Sequence, residues 1–314
     1  MSVLSAAQLA RYPFCSGAKK ILEGEGISIT DAGILERARA RILGALDGKL
    51  PEPAGEPARE IAAYAAARVL LSLLNRKALI SRYAVAEAKR VGEALRQEDD
   101  AVVALVAGEL GVRFEKDSKK YRMRVFDYLR HAPRSADYKL SNRSVEGGWV
   151  KLSRAECIRV VSEALQKSIE RSLPARVDNA PEEAQRAARE LELLLPKEAP
   201  AVMKVAAGAY PPCMQRLLEE LAESANLPHN ARFALAAYLL NIGMDMEKVV
   251  ALFRTAPDFD EKITRYQVAF IAKKGYRVPA CAALDMQGIC VADCRVGTPL
   301  RYRPGAEKPW GKGS

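Results

Sequence analysis

Histidine is nearly missing: His131 and His229 are the only two in 314 residues. That excludes a His-rich metal site and leaves little material for histidine-based acid–base chemistry. Long apolar runs are missing as well. No stretch reaches the roughly eighteen residues a membrane-spanning helix needs, so no membrane partner is expected. No tandem repeat period emerges. No basic and apolar leader ends in a cleavage site, so disulfides are not expected and the cytoplasm is the expected compartment. Low complexity is confined to the closing tail at 305–314, rich in Gly, Lys and Pro and expected to be disordered.

The composition that remains is that of a globular chain, 49% hydrophobic and long enough for about two domains. The formal net charge of +10 biases it toward polyanions, although many basic proteins bind none.

From Ser5 to about Leu110 the chain is rich in Ala, Leu, Glu, Arg and Lys, with apolar residues at three- and four-residue steps. This predicts a helical bundle, divided at Gly24–Gly26, Pro51–Gly55 and Gln97–Asp100. Ile61–Leu74 carries one charge, Arg68, and is expected to be the core helix. Near Gly111 the period changes. Val112–Glu115 and Tyr121–Phe126 alternate large apolar residues with charges and predict strands joined by a turn over 116–120, and Trp149–Leu152 predicts another. Ser153-Arg-Ala-Glu156 is a capping box that should open a helix running to about Arg171. Cys15 and Cys157 have no ligand-spaced partner and are expected in the core.

This α/β piece, about 111–172, is the most basic part of the chain: 119–143 holds eight Lys or Arg against two Asp. Phosphate contact, a solvated strand face and an acidic protein partner all fit such a segment. Pro174 to Pro181 breaks the helix and marks the boundary of an N-terminal domain at 1–175. A linker with an amphipathic helix over 182–194 occupies 176–200, and a second domain follows at 201–304.

Four of the six cysteines lie in that last domain, at Cys213, Cys281, Cys290 and Cys294. Four thiolates can close the coordination shell of zinc or of an iron–sulfur cluster. Only Cys290 and Cys294 have knuckle-like spacing, so folding must deliver Cys213 from a distance. Zinc, a cluster and four unrelated buried thiols all remain open on spacing alone.

Leu227-Pro-His-Asn-Ala-Arg232 reads as a helix entry, with His229 and Arg232 one turn apart on the same face. An imidazole and a guanidinium at a helix N-terminus suit a phosphate; a capping histidine and an ion-paired arginine are the plainer alternative. Asp258-Phe-Asp260 and Asp245-Met-Glu247 imitate the acid pairs of two-metal polymerases. They stand at expected helix starts, where acids complement the dipole, so no catalytic metal site is expected. Lys273 and Lys274 before Gly275 suit a helix C-terminus.

Taken together, 227–232, Tyr238–Gly243, Phe259–Gln267 and Pro279–Cys281 closely resemble the C-terminal domain of the archaeal and eukaryotic DNA primase large subunit. The resemblance reaches the whole chain in layout, including Asn142–Ser153, and is specific in the C-terminal third. It implies a mainly α fold: an N-terminal helical domain with a small α/β subdomain that docks the catalytic small subunit, a linker, and a helical iron–sulfur domain. It implies a [4Fe–4S] cluster on Cys213, Cys281, Cys290 and Cys294, which decides for iron over zinc. His229, Asn230, Arg232, Thr264, Arg265, Tyr266 and Gln267 match positions that contact nucleotide or primer–template. The implied role is a noncatalytic subunit in DNA replication that binds nucleoside triphosphates, single-stranded DNA template and the 5′-triphosphate end of an RNA or DNA primer, near the nucleoid. The loop between Cys281 and Cys290 is short compared with the eukaryotic form, so some template contacts of longer relatives lack a counterpart. The rival readings are an iron–sulfur redox protein or electron carrier, and a zinc-stabilised DNA-binding protein.

Overall fold

The computed structural model describes residues 3–117, 120–195 and 210–303. Ser118 and Lys119 of the expected turn, the end of the linker and the tail at 305–314 lie outside the described residues. The chain divides into two compact units: Met1–Pro133 with Leu140–Pro196, and Arg134–Lys139 with Lys197–Ser314.

The first unit is the expected helical bundle: α1 (Ala6–Arg11), α2 (Ser16–Glu25), α3 (Ala32–Leu46), α4 (Pro57–Leu74), α5 (Lys77–Leu95) and α6 (Asp100–Glu109). The breaks fall where glycine and proline punctuate. Gly26 closes α2 at φ 62°, and Pro57 starts α4 where a missing N–H costs nothing. α4 is buried around much of its circumference, as the single charge of Ile61–Leu74 predicts. A polar cluster interrupts this core. Arg41, with no exposed surface, meets Glu87 and lies 3.8 Å from Glu60, while Glu87 also accepts from Tyr83 and Arg90. Burial pushes the Glu87 carboxyl up, but Arg41 and Arg90 outweigh it and hold it down at about 2.

The α/β piece differs in detail from the alternation pattern. β1 is Glu115–Asp117, and Val112 is buried in the turn before it. β2 (Lys120–Arg124) stops two residues early, because Val125 opens α7 (Val125–His131) and its N–H donates to the Gly148 carbonyl at 3.1 Å. β3 (Val145–Glu146) and β4 (Trp149–Leu152) complete an antiparallel sheet in the order β1-β2-β4-β3. Tyr121 pairs with Leu152 and Met123 with Val150, and all four side chains are buried. On the alternate positions Arg122 and Arg124 lie 4.5 and 3.9 Å from the ring of Trp149. The basic segment is therefore partly committed to packing. Arg122 also pairs with Glu115, and Arg143 with Glu156.

α8 (Arg154–Ser172) begins with the expected capping box and buries Cys157. α9 (Glu182–Leu194), expected within a linker, packs into this first unit. Its Glu190 and Glu192 meet Arg39 and Arg76, and Leu191 is buried. Cys15 precedes α2 and is buried as expected; burial pushes its thiol, like that of Cys157, up to about 12.

The second unit contains α10 (Pro212–Ala222), α11 (His229–Asn241), α12 (Met246–Leu252), α13 (Glu261–Lys274) and α14 (Cys281–Met286). Its core joins Met214, Leu217 and Leu221 of α10 to Leu235 and Leu239 of α11, with Val249, Val268 and Leu284. Asp245 and Asp260 cap α12 and α13, accepting from backbone N–H groups at 2.9 Å. One acid of each pair that imitates a metal-binding site thus serves as a helix cap, while Asp258 and Glu247 pair with Arg232 and Arg265.

Candidate functional site

The cysteines converge. Cys213 sits in the first turn of α10, Cys281 is the first residue of α14, and Cys290 and Cys294 lie in the loop after it. All four line one cavity of about 330 Å³. Backbone bonds fold the loop into place: Cys281 N–H donates to Gly297 O at 3.0 Å, and Cys290 N–H to Leu284 O at 3.2 Å. Arg216, one turn after Cys213, donates to the carbonyls of Gly288 and Ile289 at 3.1 and 3.0 Å. That clamp ties α10 to the loop just before Cys290 and so brings Cys213 to the other three cysteines.

The four thiols offer the chemistry of soft metals and iron–sulfur clusters, and the carboxylates of Asp285 and Asp293 line the same cavity. Burial pushes the Cys213 thiol up to about 11, and the nearby Cys290 thiol adds to the rise. Cys281 and Cys294 are raised for the same reasons, burial first and neighbouring thiols second. Thiols crowded together ionise jointly only beside a positive centre, so this arrangement fits a metal group. Among the described residues, no three His, Cys, Asp or Glu side chains are close enough to share one ion.

The helix entry at 227–232 builds a second feature. His229, Arg232, Thr264, Tyr266 and Gln267 line a pocket of about 390 Å³ between α11 and α13, together with Phe233, Phe259, Phe270 and Tyr276. Asn230 and Arg265 are not among the residues lining it. Arg265 instead pairs with Glu247 and, at 3.1 Å, with Glu261. Arg232 lines the pocket yet is also held: Nε donates to Leu227 O at 2.8 Å, and Nη2 reaches Asn226 and both oxygens of Asp258. His229 is exposed at the first turn of α11, where backbone N–H groups lack intrahelical partners.

Residue patterns alone do not mark Phe233 or Tyr276. Tyr266 and Phe270 stand four apart on α13, a legible signal; Phe233 reaches Tyr276 only through the fold.

Residues 203–301 match the family described as the C-terminal domain of the large subunit of eukaryotic and archaeal DNA primase. The chain is also similar over most of its length to proteins named DNA primase large subunit PriL. That of Methanocella arvoryzae is 31% identical, covering 95% of this chain and 88% of the relative. That of Archaeoglobus fulgidus is 37% identical over 76% of this chain and 66% of the relative, and that of Halobacterium salinarum 29% over 91% and 88%. The chain belongs to the DNA primase large subunit family. Its mainly α fold with one small sheet agrees with that membership, and no helix among the described residues is long and apolar enough to cross a membrane.

Proposed function

We propose that this chain is the regulatory, noncatalytic subunit of a DNA primase and that its second unit holds the ends from which a primer starts. The observation that carries this reading is the meeting of His229, Arg232, Thr264, Tyr266 and Gln267 around one pocket. They come from two helices about thirty positions apart, and their chemistry suits a nucleotide: cations for phosphate, amide and hydroxyl for sugar or base edge, a ring for the base face. Asn230 and Arg265, at the margins of that pocket in sequence, would meet template or phosphate once the ion pairs of Arg265 open.

In this reading Cys213, Cys281, Cys290 and Cys294 hold a [4Fe–4S] cluster. The cluster supplies a closed thiolate centre that joins the start of α10 to the loop after α14. The resemblance supports iron, and the four thiols line one cavity of about 330 Å³. The first unit docks the catalytic small subunit, which brings the metal-binding acids. His229 and Arg232 grip the triphosphate of the initiating nucleotide or of the growing primer, and Tyr266 with Gln267 orients base and sugar against the template. Bringing two nucleotides and a template into register removes much of the entropic barrier to the first bond, with no reacting side chain needed from the large subunit. The complex acts on template DNA in the cytoplasm, at the nucleoid.

The test is reconstitution with the small subunit on single-stranded template. His229→Ala should lower de novo initiation about tenfold or more, the worth of a charge-assisted contact, while extension of a preformed primer stays near wild type. Equal loss of both activities, or of neither, refutes the assignment.

A further inference from the structure

Three helices of the first unit frame a groove of about 600 Å³, with walls from the start of α2, from α4, and from α8 with the segment that follows it. Its edge is fixed by side chains. Arg68 Nη2 donates to Ser172 Oγ at 2.9 Å and so joins α4 to the end of α8. Ala175 N–H donates to Ser72 Oγ at 3.0 Å, and Ser72 donates to the Arg68 carbonyl at 2.7 Å. Ile61 and Leu165 are its buried apolar lining, while Phe14, Leu22, Val69 and Val177 stay half-exposed around them.

The charge of the groove says what enters it. Among the described residues lining it, Lys19 and Arg68 are charged and none is acidic. Lys19 lies 3.5 Å from Glu23, whereas the partners of Arg68 among the described residues are the hydroxyls of Ser172 and, at 3.5 Å, Tyr64. A guanidinium without a carboxylate, set beside apolar walls, complements an acid carried on an apolar body. Nucleic acid fits poorly, because two cations on mostly aliphatic walls offer neither a row of phosphate contacts nor exposed ring faces. Thiol chemistry fits no better. Burial first, and then Glu109, push the Cys15 thiol in this lining up to about 12, so it stays protonated. A small-molecule site buries most of its ligand, whereas walls left half-exposed suit a helix laid along them.

We infer that the groove framed by α2, α4 and α8 docks an amphipathic helix of a partner protein. Apolar side chains of that helix, one turn apart, fill the space between Phe14, Leu22 and Val69, and one Asp or Glu pairs with Arg68. Burial against the apolar walls supplies the affinity. The ion pair sets direction and register, since a helix laid in backwards would leave its acid away from the guanidinium. The inference goes beyond the nucleotide pocket of the second unit and does not depend on it.

The experiment selects a displayed library of random peptides, each about four helical turns long, against the full chain and measures the synthesised winners by fluorescence anisotropy. Peptides directed to the groove should turn helical on binding, carry apolar residues at helical spacing, and include an acid. Val69→Glu, which sets a carboxylate in the wall, should abolish their binding. Arg68→Gln should weaken it about tenfold and Arg68→Lys less. Replacing the peptide's acid by its amide should cost the same tenfold on the wild-type chain and nothing further on Arg68→Gln, which identifies the pair. That exchange leaves the protein untouched, so a misfolded variant cannot decide the matter. Winners that lack an acid, or that ignore both Val69→Glu and the amide exchange, refute the docking site. If no winner depends on Val69 while dodecanoate binds and is lost in Arg68→Gln, the groove is a small-ligand site and the inference falls.

Discussion

Asp258 holds Arg232 by both carboxylate oxygens, each 2.7 Å from Nη2. The arginine best placed to meet a phosphate therefore already has an anion beside it. An incoming phosphate must displace that carboxylate or share the guanidinium with it. Asp258→Asn removes the competing charge but keeps an acceptor. It should tighten the binding of inorganic triphosphate by up to about fivefold, the scale of a partly exposed ion pair. Titration calorimetry at low salt reads this directly, and unchanged or weaker binding would show that Asp258 does not compete.

Glu87 anchors the first unit from inside its core. Both Arg41 and Arg90 depend on it, and Arg41 has no exposed surface. Removing one member of a buried ionic cluster leaves charge uncompensated, so Glu87→Gln should destabilise the unit by about 3–5 kcal/mol. Denaturant unfolding monitored on this unit checks the value. A loss below about 1 kcal/mol would mean that the cluster is well solvated.

The seam between bundle and sheet should be acid-sensitive. Hydrogen bonds from Lys116, then Tyr121 and Arg154, hold Asp100 down to about 2, and a bond from Arg143 does the same for Glu156. A carboxyl held below its ordinary value of 3.8 or 4.5 binds its proton less readily when folded. This contribution to stability is complete above those values and fades as pH falls toward about 2. Unfolding midpoints should therefore drop between about pH 5 and pH 3, and Glu156→Gln should flatten the drop. Identical pH profiles for wild type and variant would contradict the assignment.

Much of this architecture is legible in the sequence because its determinants are local. The Ser153–Glu156 box, the glycine stop at Gly275 and the amphipathic run of α9 each act within a few residues, and the structure places them as the pattern implies. What the pattern misassigns depends on distant partners. Val125 and Phe126 continue the alternation of β2 but turn into helix where Val125 meets Gly148. α9 looks like linker until Arg39 and Arg76 supply its ion partners. At the site the same rule holds. His229 and Arg232 are legible as neighbours one turn apart, whereas Asp258 meets Arg232, Glu247 meets Arg265 and Phe233 meets Tyr276 only on folding.

The most direct measurement is metal content. The chain and its Cys213→Ser variant should be purified without oxygen and assayed for iron, acid-labile sulfide and zinc, with a visible absorption spectrum. A brown protein with about four irons and as many sulfides per chain, both lost in the variant, is the predicted result. A colourless protein with one zinc per chain, or a Cys213→Ser variant with undiminished iron, would contradict a quartet of thiolates closing this domain around an iron–sulfur centre.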